Sequence, residues 1–330
     1  MAKKIKVLMM GGRRCGKSTV LAGVSDCCIN ALNNVDMNVV CVEGGAALAD
    51  KMGEAESYFT DAAMRKGFFV PDREPSRVQN EYKYEIDING KGFPYYLEFQ
   101  DFPGEWLSNP EQYPDAPKTL EKWFQESQVI IIAIDTPCLV ENYDEYEGGF
   151  DKKHTEHNRV NEITEFFKTA FAKSKYNKMV IFVPVKCEKY YYENRLDEVN
   201  ELVQKGYEDL FGFFAKPDVK EVCSVAISPI LSFGGAEFFE FDSESYVGTY
   251  TYRLKAEERE YKPLGCELPL FIVLKYLVNI AEKRLQNRGL FRWLVDIFSN
   301  KADLQSVLDC KKQIEQILEA NTELPVTYIQ

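Results

Sequence analysis

The chain is poor in the features that would tie it to nucleic acid, a membrane or a metal. Its 330 residues carry 40 Lys and Arg against 52 Asp and Glu, a formal net charge of −12. A binder of DNA or RNA needs a basic surface to neutralise phosphates, so this balance argues against one. It also disfavours a polybasic membrane anchor. No apolar run reaches the roughly 18 residues of a membrane-spanning helix. Met1-Ala2-Lys3-Lys4 leads straight into a short apolar strand and lacks the apolar run and cleavage site of a signal peptide. Nine cysteines are scattered without a Cys-x-x-Cys pair, Cys27 and Cys28 being adjacent. That pattern reads as reduced thiols of a cytoplasmic protein rather than a zinc site or a disulfide framework. There are two histidines, His154 and His157. No Cys and no third His lies near them, and the surrounding stretch is charged, so a solvated helix face is expected rather than a metal site.

What is present is an ordinary globular composition, 45% hydrophobic and 28% charged, at a length for about two domains or one large α/β domain with insertions. Short apolar runs predict strands at Ile5–Met10, Val129–Ile134, Met179–Val185 and Glu221–Ile227. Tyr82, Tyr84, Ile86 and Ile88 alternate with polar residues up to Asn89-Gly90, a hairpin turn signal, and the return strand runs through Tyr95, Leu97 and Phe99 to Asp101. Asn38–Val42 is a further short candidate. Helical spacing is read over Lys17–Leu32, Ala46–Lys66, Thr119–Phe124, His154–Lys173, Asn194–Phe211 and Glu267–Leu285. The expected fold is α/β: a mostly parallel six-stranded sheet with one antiparallel strand, helices on both faces, and a helical C-terminal tail. The expected organisation is one domain over 1–286, with insertions at about 35–75 and 233–262, followed by a helical extension over 287–330. The aromatic, acidic stretch Phe233–Tyr261 is expected to hold its own hairpin. The tail, with Leu290–Phe298 and then Leu304, Val307, Leu308, Ile314, Ile317 and Leu318, is expected to form two packed helices. These either add core against the sheet or dock on a partner or a membrane surface.

Gly11-Gly12-Arg13-Arg14-Cys15-Gly16-Lys17-Ser18 fits G-x-x-x-x-G-K-[ST], and Thr19 follows. The match lies after a predicted strand and opens a predicted helix, the context this phosphate loop requires. Glycines let backbone N–H groups converge on phosphate oxygens, and the helix N-terminus adds positive potential. Lys17 is placed to reach the β- and γ-phosphates and Ser18 to ligate Mg²⁺. Arg13 and Arg14 either add charge near the phosphates or point to solvent. Asp101-Phe102-Pro103-Gly104-Glu105-Trp106 ends the hairpin's return strand. At a strand tip beside a phosphate loop, Asp101 can hold Mg²⁺ through water, and Gly104 can offer its N–H to a γ-phosphate.

Strand, phosphate loop, helix, hairpin, D-x-x-G and three strand–helix units, in that order, resemble the Ras-like, TRAFAC-class P-loop GTPases. The stretch Asp101–Leu107 (DFPGEWL) resembles the bacterial YcjX-like and double-GTPase-type families, as do the helix and the Gly67–Pro71 linker before it. The resemblance covers about residues 1–230 and the helix near Glu267. It implies GTP/GDP as ligand, Mg²⁺ as cofactor, a protein effector or regulator as partner, and no nucleic acid. Carried over residue by residue, it implies that Ser76, in Pro75-Ser76-Arg77, is the switch residue that ligates Mg²⁺, where the class has Thr; Thr60, inside a predicted helix, is the other candidate. It implies that Glu105 stands where a Gln orients the attacking water. It implies that Val185-Lys186-Cys187-Glu188 replaces the guanine-reading [NT]-K-x-D, Lys186 packing over the base and Glu188 pairing with guanine N1 and N2. Ser228 begins the loop that reads guanine O6, although Pro229 has no N–H to give. Guanine is favoured over adenine or a relaxed choice. The readings that follow are a slowly hydrolysing guanine-nucleotide switch, an ATPase or a nucleotide or small-molecule kinase on the same loop, and a non-hydrolysing nucleotide-binding scaffold.

Overall fold

The computed structural model describes residues 3–32, 35–64, 68–69, 79–93, 95–108, 111–144, 146, 148–174, 177–242, 249–254, 261–286 and 303–329. A large sheet organises them. Its main strands are β1 (Lys3–Met10), β2 (Met37–Glu43), β3 (Asn80–Ile88), β4 (Tyr95–Asp101), β5 (Val129–Asp135), β6 (Lys178–Val185), β7 (Cys223–Ile227) and β8 (Thr327–Tyr328). They lie in the order β8-β7-β6-β5-β1-β4-β3-β2, and Lys91–Gly92 pairs with β3 as a ninth member. Strands β4, β1, β5, β6 and β7 pair parallel.

Sequence pattern and position agree. In β5 and β6 every residue is buried, as expected of central strands covered on both faces. In β3, Tyr82, Tyr84, Ile86 and Ile88 are buried while Glu81 and Glu85 face water. Asn89 and Gly90, both at positive φ, turn the chain after it.

Helices pack on this sheet, and one continuous apolar core holds them to it. Helix α1 (Lys17–Ala31) follows β1, and helix α2 (Gly45–Met64) follows β2. A second small core forms where Ala55, Phe59 and Ala62 of α2 meet Phe233, Ala236, Phe238 and Tyr252. The last residues belong to a three-stranded sheet of Ala236–Asp242, Thr249–Leu254 and Phe68–Phe69. The hairpin expected within Phe233–Tyr261 is therefore present.

The structure corrects the expected sheet and helices in three places. Among the described residues the sheet has nine strands, not six. Beyond the six are β2, which the candidate Asn38–Val42 marks, Lys91–Gly92 and the C-terminal β8, which pairs antiparallel with β7. The helix expected over His154–Lys173 is two, Lys152–His157 and Val160–Ala170, because Arg159 takes a left-handed φ of 55°. Asn194–Phe211 likewise divides into Leu196–Gly206 and Glu208–Phe214. Of the tail, Leu290–Phe298 lies outside the described residues. Helix α4 (Leu304–Ala320) buries Val307, Cys310, Ile314 and Leu318, and its Lys311 bonds Glu282 of helix α3 (Leu268–Gln286) at 2.8 Å. It adds core, and no described helix is long and apolar enough to cross a membrane.

Candidate functional site

Parallel strands release their chains at one edge of the sheet, and that edge gathers the polar residues. The register sets Met9 beside Asp101 and Val185 beside Asp135. The loop Gly11–Gly16 leaves β1 there and runs into α1. Gly11 has φ +138°, and a Cβ on it would stand 2.8 Å from the Ala133 carbonyl oxygen, so the position needs glycine. Lys17 is 8% exposed, and its ammonium donates to the Gly11 and Gly12 carbonyl oxygens at 3.1 and 3.0 Å. Thr19 and Ser18 are half-buried on the first turn of α1.

Ser18 and Asp101, distant in sequence, meet: the Ser18 hydroxyl donates to Asp101 Oδ2 at 3.1 Å. Asp101 is buried, and its Oδ1 has no hydrogen-bond partner among the described residues. Burial pushes its carboxyl above the usual carboxylate range, opposed by the charges of Lys17 and Lys51 and by the Ser18 hydroxyl. Gly104 closes on the phosphate loop. A Cβ there would lie 2.4 Å from the Arg13 amide nitrogen, an overlap with backbone that excludes any other residue. Glu105 follows and is gripped from two sides, by Arg13 Nη1 at 3.2 Å and by the Tyr113 hydroxyl at 3.0 Å. Arg13 is thus directed at Glu105 while its side chain stays partly exposed. Arg14, half-buried, holds a positive φ of 61°. Ser76 lies outside the described residues.

Of the expected base-reading residues, Lys186 reaches the loop Gly11–Gly16: its ammonium lies 3.5 Å from the Arg14 carbonyl oxygen and pairs with Asp135. Glu188 is fully buried, its Oε1 accepting from the Phe233 amide at 2.7 Å and its Oε2 without a hydrogen-bond partner among the described residues. Burial pushes its carboxyl up to about 7, against the backbone N–H groups of residues 232–234. Ser228 is buried, and its amide donates to the Phe182 carbonyl oxygen at 2.9 Å. The Ile230 amide beyond Pro229 is given to the Pro184 carbonyl oxygen at 2.9 Å.

Two residues that the sequence pattern did not single out, Asp135 and Asn158, complete this edge together with His157. Asp135 is fully buried at the tip of β5. It pairs with Lys186, accepts from the Cys138 amide at 3.1 Å and lies 3.2 Å from His157 Nε2. Burial raises a carboxyl, yet Lys186 and His157 outweigh it and hold Asp135 well below the usual range. Asn158, also buried, accepts from the Asp135 amide at 2.8 Å. The one available signal was an apolar strand ending in Asp, as β4 does. His154 and His157 are not on a solvated face. His154 is buried against Phe150, with ring centroids 4.7 Å apart. The helix break at Arg159 turns His157 inward to Asp135. Among the described residues no cluster of three His, Cys, Asp or Glu side chains has metal-binding geometry.

The two histidines are driven apart. Burial lowers His154 to about 4. Burial also acts to lower His157, but Cys15 and the Asp135 carboxylate raise it to about 10. Imidazole NMR signals of both should therefore stay flat between about pH 5 and 9, one neutral and one charged. A midpoint near 6.5 for either would contradict the pairing. His157's contribution to stability is complete below its unfolded value of 6.5 and is lost as the pH rises through about 10.

No family model matches the chain, and no curated protein matches it. Among solved structures it is similar to the GTPase-like domain of S. cerevisiae Ski7. In the form bound to GTP the identity is 15% over 84% of this chain and 51% of that one, with a TM-score of 0.42. In the form bound to GDP and inorganic phosphate it is 16% over 70% and 43%, with a TM-score of 0.38. Sup35 complexed with GDP is similar at 10% over 70% and 38%, with a TM-score of 0.32. The chain spans about half the length of these structures or less.

Proposed function

We propose that the protein binds a guanine nucleotide with Mg²⁺ on the loop Gly11–Thr19, hydrolyses GTP slowly to GDP and phosphate, and acts as a nucleotide-dependent switch for a protein effector or regulator. One observation carries the reading: the phosphate loop, with Ser18 and Asp101 joined at 3.1 Å beside Lys17. The donor set fits a hard cation. A buried carboxylate oxygen without a partner lies next to a hydroxyl, and both are oxygen ligands. Ser18 would hold Mg²⁺ directly and Asp101 through water, with Ser76 the third expected ligand. A cation there neutralises charge on the β- and γ-phosphates. Lys17 would exchange its two carbonyl partners for phosphate oxygens. The Gly104 amide would meet the γ-phosphate, and Glu105, screened by Arg13, would orient the water that displaces GDP from the γ-phosphorus. Lys186 and Ser228 would border the base.

A second reading, nucleotide binding without guanine selection, is favoured by one observation: the Glu188 carboxylate faces residues 232–234. Calorimetry with GTP, GDP, ATP and ADP, with and without EDTA, tests both readings. Chelation is expected to weaken triphosphate binding more than diphosphate binding; unaltered affinities would discard the Ser18–Asp101 site. Under the first reading GTP binds on the order of a hundredfold more tightly than ATP. Equal affinities select the second.

A further inference from the structure

Behind the phosphate loop a network ties two residues of the site, Lys186 and Cys15, to Asp135, His157 and Asn158, which have no role above. On one side Asp135 Oδ2 holds both the Lys186 ammonium and His157 Nε2, while Oδ1 accepts from the Cys138 amide. Lys186 occupies φ +61°, an uncommon conformation for a residue with a side chain. Such a conformation persists where its surroundings over-determine it. On the other side the Cys15 thiol donates to the His157 carbonyl oxygen at 3.4 Å and to Asn158 Oδ1 at 3.5 Å. A Cβ on Gly12 would lie 2.1 Å from that same carbonyl oxygen, so loop and brace are in contact. Asn158 closes the ring by accepting from the Asp135 amide.

We infer that Asp135 and His157 are positioning residues for the nucleotide phosphates, fixing the back of the phosphate loop through Lys186 and Cys15 before the phosphate arrives. The inference rests on the nucleotide-binding reading. Its physical basis is preorganisation: a loop whose N–H groups are already aimed loses less freedom on binding. The groups facing His157 are Asp135, Cys15, His154 and, across Asp135, Lys186. Cys138 and Lys153 lie just beyond. One carboxylate between two cations leaves a net positive charge behind the loop, the sign a phosphate needs.

The test uses the full chain with Mg²⁺ and either GTP or ATP as the probe. Asp135→Asn keeps the volume and an acceptor for Cys138 but releases Lys186 and His157. Affinity is expected to fall about tenfold or more. The ratio of variant to wild-type affinity is expected to fall further as the pH rises from about 6 toward 10, because His157 without the Asp135 carboxylate loses its charge below the wild-type value of about 10. Taking the ratio cancels the titration of the ligand itself. Adding His157→Gln should abolish that step, which loosened packing alone would not produce. An Asp135→Asn affinity within about twofold of wild type, with a flat ratio, overturns the inference. If Asp135→Asn gives no cooperative melting, His157→Gln alone decides: triphosphate release at least about threefold faster supports the inference, and unchanged release overturns it. A wild-type chain that binds neither GTP nor ATP refutes the nucleotide reading, and this inference falls with it.

Discussion

Lys17→Ala is expected to lower triphosphate affinity by about a hundredfold or more while the fold survives. Lys17 is nearly enclosed, its ammonium held by the Gly11 and Gly12 carbonyl oxygens and lying 5.7 Å from the centroid of the Phe102 ring. A charge-assisted hydrogen bond in such a site contributes about 1.5–3 kcal/mol, and a lysine that reaches two phosphates makes more than one. Alanine removes the charge and both bonds. Helix α1 does not depend on the ammonium, since Val20, Leu21 and Val24 bury its inner face. Calorimetric titration with GTP and ATP, alongside a melting curve, checks both halves. Unchanged affinity in a folded variant would remove the phosphate-loop assignment itself.

Single-turnover hydrolysis by the isolated chain should be slow, with acceleration by about 10³ or more from an arginine supplied by a partner or a second copy. A carboxylate beside an anionic phosphoryl group raises the local negative charge, and Glu105 is a carboxylate. The structure supplies part of the compensation, because Arg13 pairs with Glu105 at 3.2 Å and Tyr113 fixes its second oxygen. Arg13→Ala is therefore expected to slow turnover further, by exposing the phosphoryl group to an unscreened Glu105. Glu105→Gln should retain nucleotide affinity and change the rate. Its direction tells whether Glu105 accepts the proton of the attacking water or only orients it. Fast turnover that responds to neither substitution would mean that other residues position the water.

Much of the site was legible from local pattern. A strand, a glycine-rich loop and a helix in succession leave little freedom in where Lys17 and Ser18 stand, because the loop is short and its glycines serve one backbone path. Asp101 was legible for the same reason: a hairpin signalled by Asn89-Gly90 must return its second strand to the same edge. Pairs far apart in sequence were not legible. Nothing local told that Arg13 would meet Glu105, or that Glu188 would accept from the Phe233 amide. The histidines were misplaced because the charged stretch His154–Lys173 keeps helical spacing straight through Asn158 and Arg159. The break there exists because Asn158 bonds the Asp135 backbone, a contact made only once β5 and that helix pack together.

Composition, periodicity and the glycine spacing by themselves determined an α/β chain with a parallel sheet, the glycine-rich loop at its edge and the second strand-tip Asp. These are consequences of short-range sterics, side-chain alternation and turn chemistry, which act within a few residues. The tertiary structure alone decided the nine-strand order, with Met37–Glu43 at one margin and Thr327–Tyr328 at the other. It also decided the inward path of Glu188 and the burial of Asp135 between Lys186 and His157. Such outcomes depend on which distant surfaces the core brings into contact. A buried charge persists only where partners from other segments offset its desolvation, and those partners are set by packing.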